Sequence, residues 1–210
     1  MTKHLLIVNP NTNAQVTHWF AEEAARVAGD RFEIVAVNAE SGLAALQTPE
    51  DIETAERAVV EAVRAHPADA VIVAAFGDPG LKAARAATRA PVVGLGEAGM
   101  RAAAKLGPRF TIVTLGADMR ATIGARAGGL GLSDKLDDVK ILPFSIPEMI
   151  ADREARLADI AAAVRGCAPG AVLLGGAPFA GLAAAVARET GRIVIDGVEA
   201  CVDTVSTSWR

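Results

Sequence analysis

Three carboxylates and two amides stand where strands of this chain should end, and those are the positions from which chemistry would be done. Asp78 follows the apolar run Ala70 to Ala75 in AVIVAAFGDPGL, Glu97 follows VVGLG, Asp196 follows IVI, and Asn9 and Asn11 flank Pro10 after LLIV. A buried carboxylate with a raised pKa is a candidate general base near neutral pH. For Asp78 the competing role is structural, capping N–H groups in a first helical turn, and that role is favoured. Glu97 either faces a pocket or starts the next helix, and the helix start is favoured. The Asn–Pro–Asn turn is ordinary turn chemistry for Pro10 and less so for the two asparagines. Cys167 and Cys201 lie off the expected pocket loops. Cys201 reads as a small core residue, and Cys167 has no base near it in sequence. His4, His18 and His66 are scattered and read as structural, and no zinc-ligand spacing is present.

The elements that must position these groups come from a segment that occurs twice. AVIVAAFGDPGLKAARAATRAPVVGLGEA begins at Ala70, and AVLLGGAPFAGLAAAVARETGRIVIDGVEA begins at Ala171. Without a gap, Ala70 falls on Ala171, Ala75 on Gly176, Gly80 on Gly181 and Gly96 on Gly197. Each copy reads as strand, glycine turn, alanine-rich helix, strand, a βαβ unit. A repeat at about half the chain length predicts two similar α/β lobes. Ligands of such sheets sit beyond the carboxyl ends of the strands. Those ends are Ala75–Asp78 and Gly176–Phe179, each expected to open a helix whose free N–H groups favour an anion. Two such loops face to face would make one pocket; alternatively both are only tight turns.

Strands are further expected at Leu5–Val8, Phe32–Val37, Pro91–Leu95, Phe110–Thr114 and Val139–Leu142. Helices are expected at Ala14–Ala28, with Thr12 or Asn13 as cap and Gly29 as stop, and from the Thr48-Pro49-Glu50-Asp51 start with Ile52, Ala55, Val59, Ala62 and Val63 inward. Others are Ala98–Leu106, Arg120–Ala127 broken by Gly128-Gly129, one continuous helix Pro147–Arg165, and a last one from Gly197. Ser41–Gln47 reads as a loop.

The chain's 210 residues are 51% hydrophobic and 22% charged, with net charge −4, no Tyr and few aromatics. That argues against a base-stacking or phosphate-binding surface, so no nucleic-acid partner is expected. The opening MTKHLLIVNPNT has too short an apolar run for a signal peptide, and no run spans a bilayer, so a cytoplasmic protein without membrane contact is expected.

VNPNT at Val8–Thr12, AFGDPGL at Ala75–Leu81, VVGLGEA at Val92–Ala98 and IDGVEA at Ile195–Ala200 resemble the aspartate/glutamate/hydantoin racemase superfamily, most closely its hydantoin racemase branch. The resemblance runs over nearly the whole chain. It implies two pseudo-twofold-related α/β lobes with parallel sheets flanked by helices, residues 1–97 with 197–210 in one and 98–196 in the other, and a cleft site between them. It implies a cofactor-independent isomerase acting on a small molecule, a cyclic ureide or amino-acid-like acid, and a homo-oligomer. Asn9, Asn11, Thr12, Ala75, Phe76, Gly77, Thr114, Leu115, Gly176, Ala177 and Pro178 would bind substrate. In the family two cysteines take and return the α-proton from opposite faces. The resemblance puts them at Ala75 and Gly176, neither of which carries a proton. Three readings stay open: an engineered or diverged cysteine-less racemase, an enzyme using Asp78, Glu97 or Asp196 instead, and a binder without turnover.

Overall fold

The computed structural model describes residues 2–39, 49–116 and 118–208, and the backbone alone for 49–52. The expected Ser41–Gln47 loop and the Thr48 cap lie outside the described residues, as does the side chain of Ile52.

The first half runs β1 (Lys3–Asn9), α1 (Ala14–Ala28), β2 (Phe32–Asn38), α2 (Pro49–Ala65), β3 (Ala70–Val73), α3 (Leu81–Ala87), β4 (Val92–Gly94) and α4 (Leu95–Lys105). The second runs β5 (Phe110–Thr114), α5 (Met119–Gly129), β6 (Leu136–Ile141), α6 (Ile146–Ala151), α7 (Arg156–Arg165), β7 (Ala171–Gly175), α8 (Ala183–Thr190), β8 (Val194–Asp196) and α9 (Gly197–Thr207). Two four-stranded parallel sheets result, in the orders β2-β1-β3-β4 and β6-β5-β7-β8. The two orders are the same when each strand is replaced by its counterpart in the other half, as the repeat demands.

Each central strand is apolar on both faces because both faces are covered. Leu6, Val8, Val71 and Val73 pack with Val59, Val63, Leu81 and Ala84 on the outer side of the first sheet. Val113, Val172 and Leu174 pack with Met149, Ile160, Val164 and Val186 outside the second. The alternate residues, Leu5, Ile7, Ile72, Phe110, Ile112 and Leu173, share a single core with Phe20 of α1, Met100 of α4 and Val202 of α9. Here α4 packs on β7 of the second sheet, while α9 returns to α1, α4 and β4. Among the described residues, no helix is long and apolar enough to cross a membrane.

Local chemistry sets most boundaries. Asn13 caps α1 by accepting from the Val16 N–H, and Gly29 (φ 55°) ends it. Two expectations are corrected and one helix boundary is extended. The continuous helix Pro147–Arg165 is two. Ser145 and Glu148 form a reciprocal capping box that starts α6 at Ile146, and Asp152 leaves helical geometry as its carboxylate accepts from the Ala155 N–H. A short acidic side chain that competes for backbone N–H groups breaks a helix this way. Helix α5 ends at the glycine pair as expected but includes it, running to Gly129 rather than Ala127, and the chain reverses at Gly131 (φ 70°). Finally, the repeat is not gapless throughout. Val71 donates to Pro91 O, whereas its counterpart Val172 donates to Ile193 O, so one extra residue precedes β8. The spatial counterpart of Gly94 is therefore Asp196, and that of Gly96 is Val198.

Candidate active-site cleft

A cavity of about 370 Å³ lies where β1, β3, β5 and β7 end. Its walls are Ala74–Gly77 and Pro79 after β3, Gly175–Phe179 after β7, Thr114–Gly116, Asp118, Met119 and Thr122 around the start of α5, with Asn11, Val16 and Ile146 completing it. Two equivalent loops thus meet across one cleft.

Nine residues expected at the site line the cavity: Asn11, Ala75, Phe76, Gly77, Thr114, Leu115, Gly176, Ala177 and Pro178. Asn9, Thr12 and Asp78 do not. Asn9 is fully buried, and its amide holds the loop from beneath. Nδ2 donates to Thr17 Oγ1 (2.8 Å), and Oδ1 accepts from the Asn11 N–H (3.2 Å). Thr12 is exposed and faces elsewhere. Asn11 Oδ1 is committed to the Asn13 N–H at 2.9 Å, which leaves its Nδ2 donors for a ligand. Among the described residues, no acceptor takes the N–H groups of Phe76, Gly77 or Ala177. They are the donors that a ligand carbonyl or an enolate oxygen would meet. The Thr114 hydroxyl donates to Gly175 O and so ties β5 to the second loop.

The three carboxylates considered as bases are turned to other tasks. Asp78, with a left-handed backbone (φ 51°), accepts from the N–H groups of Gly96 and Glu97 at 2.8 Å each, and from Arg126 Nη2 at 2.8 Å and Nε at 3.1 Å. It caps α4, not its own helix. Burial pushes its pKa up to about 6, against the pull of Arg126 and the two N–H groups. No Cβ fits at Gly94, where it would stand 2.3 Å from Asp78 Oδ1, nor at Gly96, 2.2 Å from Phe76 O. The motifs FGDPGL and VGLGEA are therefore two halves of one lock. Glu97, at the start of α4 as favoured, pairs with Arg126 (3.2 Å), Arg85 and Arg101 (3.3 Å each). Burial works against its charge, but Arg85 and Arg101 hold its pKa below the ordinary range.

In the second half the same place is filled from the other side. Asp196, the counterpart of Gly94, accepts from Val198 N–H (2.8 Å) and from Gly181 N–H (2.6 Å), so it caps α9. Burial raises its pKa to about 6. At the second loop a single 3-10 turn, Ala177–Phe179, opens with a free Ala177 N–H, but among the described residues the longer helices of the two repeats offer no free N-terminus to the cavity. The termini of α4 and α9 already hold the protein's own carboxylates, while α3 and α8 begin only at Leu81 and Ala183, beyond the cavity loops.

Neither thiol lines the cavity. Cys201 is fully buried against Gly94 O, its pKa raised well above the usual range by that burial. Cys167 is half-buried at the end of α7 with Sγ on Ala163 O.

Phe179 lines the cavity as the last residue of the expected second loop, while sequence reasoning missed Val16, Asp118, Met119, Thr122 and Ile146. Asp118 and Thr122 are spaced i, i+4 at the start of α5, which puts them on one helix face; the glycine-rich run from Gly116 hid that signal. It also missed Arg153. This guanidinium donates to Pro178 O (3.3 Å) and Ala180 O, and lies 4.4 Å over the Trp19 ring. It pins the second cavity loop to α1. Replacing Arg153 by Ala is expected to cost about 2 kcal/mol of stability, measured by urea unfolding, from two carbonyls that lose a charged donor and one lost cation–π contact.

Residues 5–205 match the family described as Asp/Glu/Hydantoin racemase. The hydantoin racemase of Pseudomonas sp. (strain NS671) is 30% identical over 208 residues, covering 96% of this chain and 84% of that protein. The allantoin racemase structure from Pseudomonas fluorescens superposes with a TM-score of 0.92 at 30% identity, covering 99% of this chain and 91% of that one. The allantoin racemase of Klebsiella pneumoniae gives 0.90 at 29% identity, over 98% and 87% of the two chains. Two sheets of matching strand order, one cleft between their carboxyl ends and a match along almost the whole sequence lead to one conclusion: this chain belongs to the Asp/Glu/hydantoin racemase family.

Proposed function

We propose that the cleft binds a small carbonyl compound of the cyclic ureide kind, and that it does so without the two-thiol racemisation of its family. The observation that carries this reading is the pair of side chains at the centre of the two facing loops. Ala75 and Gly176 line the cavity and stand, in our reading, where racemases of this family carry their cysteines. Inversion at a carbon acid needs an acid and a base on opposite faces of the same carbon. No thiol, imidazole or amine lines the cavity among the described residues, and Asp78, Glu97 and Asp196 are not part of its wall. What remains is a binding apparatus: N–H donors from both loops, the Asn11 amide, and apolar walls from Val16, Phe76, Met119, Ile146 and Phe179.

The backbone at Gly176 supports divergence over a simple loss of side chains. Its φ is 156° with ψ 147°, a conformation that a cysteine adopts only under strain. The loop has settled into a shape particular to glycine, so adding the thiol alone would not rebuild a racemase.

A second reading rests on Asp118, the one carboxylate lining the cavity among the described residues. A single base could exchange a ligand's α-proton from one face without inverting the centre. Proton NMR in D₂O separates the two. With 5-substituted hydantoins and allantoin, saturation-transfer signals are expected together with α-proton exchange no faster than in buffer. Exchange above the buffer rate that is lost in Asp118→Asn would replace the binding reading with the single-base one. Absence of both binding and exchange across this panel would reject the ureide class.

A further inference from the structure

We propose that Asp118 is a charge filter at the mouth of the cleft, which admits neutral N–H-bearing ligands and rejects carboxylates. The proposal deepens the ureide-binding reading above and rests on it.

Three observations converge on this residue. First, the cavity wall contains Asp118 and no Lys, Arg or His among the described residues. A ligand carboxylate would therefore enter a site with one negative charge and no cation to meet it.

Second, the charge of Asp118 is not spent elsewhere. Although it is the N-terminal cap residue of α5, its side chain makes no capping hydrogen bond. The two cations on α5 are both committed away from it. Arg120 pairs with Asp138 at 2.6 Å, and Arg126 with Asp78 and Glu97 at 2.8 and 3.2 Å. No ion pair or hydrogen bond to the Asp118 carboxylate exists among the described residues.

Third, the polarity of the cavity is divided. The Asn11 amide nitrogen and the N–H groups of Phe76, Gly77 and Ala177 all donate. Asp118 only accepts. A ligand that offers both carbonyl oxygens and an N–H matches these partners; an N–H carried to a carboxylate is a charge-assisted hydrogen bond, stronger than a neutral one.

A five-membered ureide ring and its hydrolysed form make a controlled pair. The 5-substituted hydantoin is neutral and carries ring N–H groups. The N-carbamoyl amino acid formed by opening that ring keeps the substituent and gains a carboxylate. One like-charge contact several ångströms away at a solvent-open mouth is worth roughly tenfold in affinity. The cleft is thus expected to serve the ring-closed compound and to release, or never hold, the ring-opened one.

The test is isothermal titration of the full chain with one 5-substituted hydantoin and its N-carbamoyl acid, for the native protein, Asp118→Asn and Asp118→Lys. Circular dichroism confirms folding, which substitution of this exposed side chain should leave intact. The native protein is expected to prefer the ring by about tenfold or more. Asp118→Asn should bring the two affinities together, mainly by gain for the acid, and Asp118→Lys should reverse the order. A native protein that binds ring and acid equally overturns the filter while leaving the ureide reading standing, as does a preference that all three proteins share. A native protein that binds neither overturns the ureide reading itself, and the filter falls with it.

Discussion

Replacing Asp78 by Ala is expected to lower the stability of the folded chain by about 4 kcal/mol at neutral pH, read from the urea midpoint. The carboxylate is buried and serves four donors at once: two N–H groups at the start of α4 and two nitrogens of Arg126. Deleting one partner of a buried pair leaves the other desolvated and unmatched, which costs about 3–5 kcal/mol. Arg126 keeps Glu97 at 3.2 Å, which places the electrostatic part near the lower end, about 3 kcal/mol. A further 1 kcal/mol or so comes from the backbone, because Ala is disfavoured at the left-handed φ of 51°. Asp78→Gly should therefore fall short of the full loss by about that amount. Asn should not rescue, since its amide nitrogen would face an N–H or Arg126. In a double-mutant cycle with Arg126→Ala, the two losses should be clearly less than additive. Additive losses, or an Asp78→Ala protein as stable as the native one, would refute the lock between the two motifs. The same substitution should also disturb the cleft, because the loop it anchors supplies Phe76 and Gly77 to the cavity wall.

Stability is expected to fall, not rise, as pH increases from about 4 to 6. Asp78 and Asp196 both titrate at about 6 in the folded chain, against 3.8 as the ordinary value. Between these values the folded chain holds protons that the unfolded chain has released, so raising the pH favours unfolding. Each group contributes as much as about 3 kcal/mol across that window, and the contribution is flat below pH 4 and above pH 6. Glu97 and Asp138 oppose this at the acid end, since both are held below their ordinary values and lose their stabilising charge there. A stability maximum near pH 4 follows. The slope, more than the absolute stability, identifies the groups: Asp196→Asn should flatten it by about half. Thermal midpoints that climb steadily from pH 5 to 7 would contradict the assignment.

Much of the architecture is legible in the order of residues. The repeated βαβ pattern implies the two lobes, and apolar runs such as LLIV and AVLLG mark strands covered on both faces. Asn13 and Gly29 bound α1 because capping acts within a few residues. The break between α6 and α7 at Asp152 is not legible in this way. It depends on what the Asp152 carboxylate and the Arg153 side chain reach, and a period of apolar residues carries no trace of that.

The site divides the same way. Loop positions after strand ends are legible from the sequence, since the fold class places ligands there: Asn11, Phe76, Gly77, Thr114, Ala177 and Pro178 all reach one cavity. The sequence alone also determined that Ala75 and Gly176 carry no ionisable group. Only the tertiary structure decided where the carboxylates point. Asp78 sits in a motif that reads as a catalytic candidate, yet its partners lie 18, 19 and 48 residues away, at Gly96, Glu97 and Arg126. Asp196 performs the matching task from the strand end, because one inserted residue before β8 sets it where Gly94 stands in the first lobe. Asp118, inconspicuous in a glycine-rich stretch, is the carboxylate that faces the cleft. Direction is a property of packing among distant segments, and hydrogen-bond partners separated by tens of residues leave no periodic or local signature in the chain.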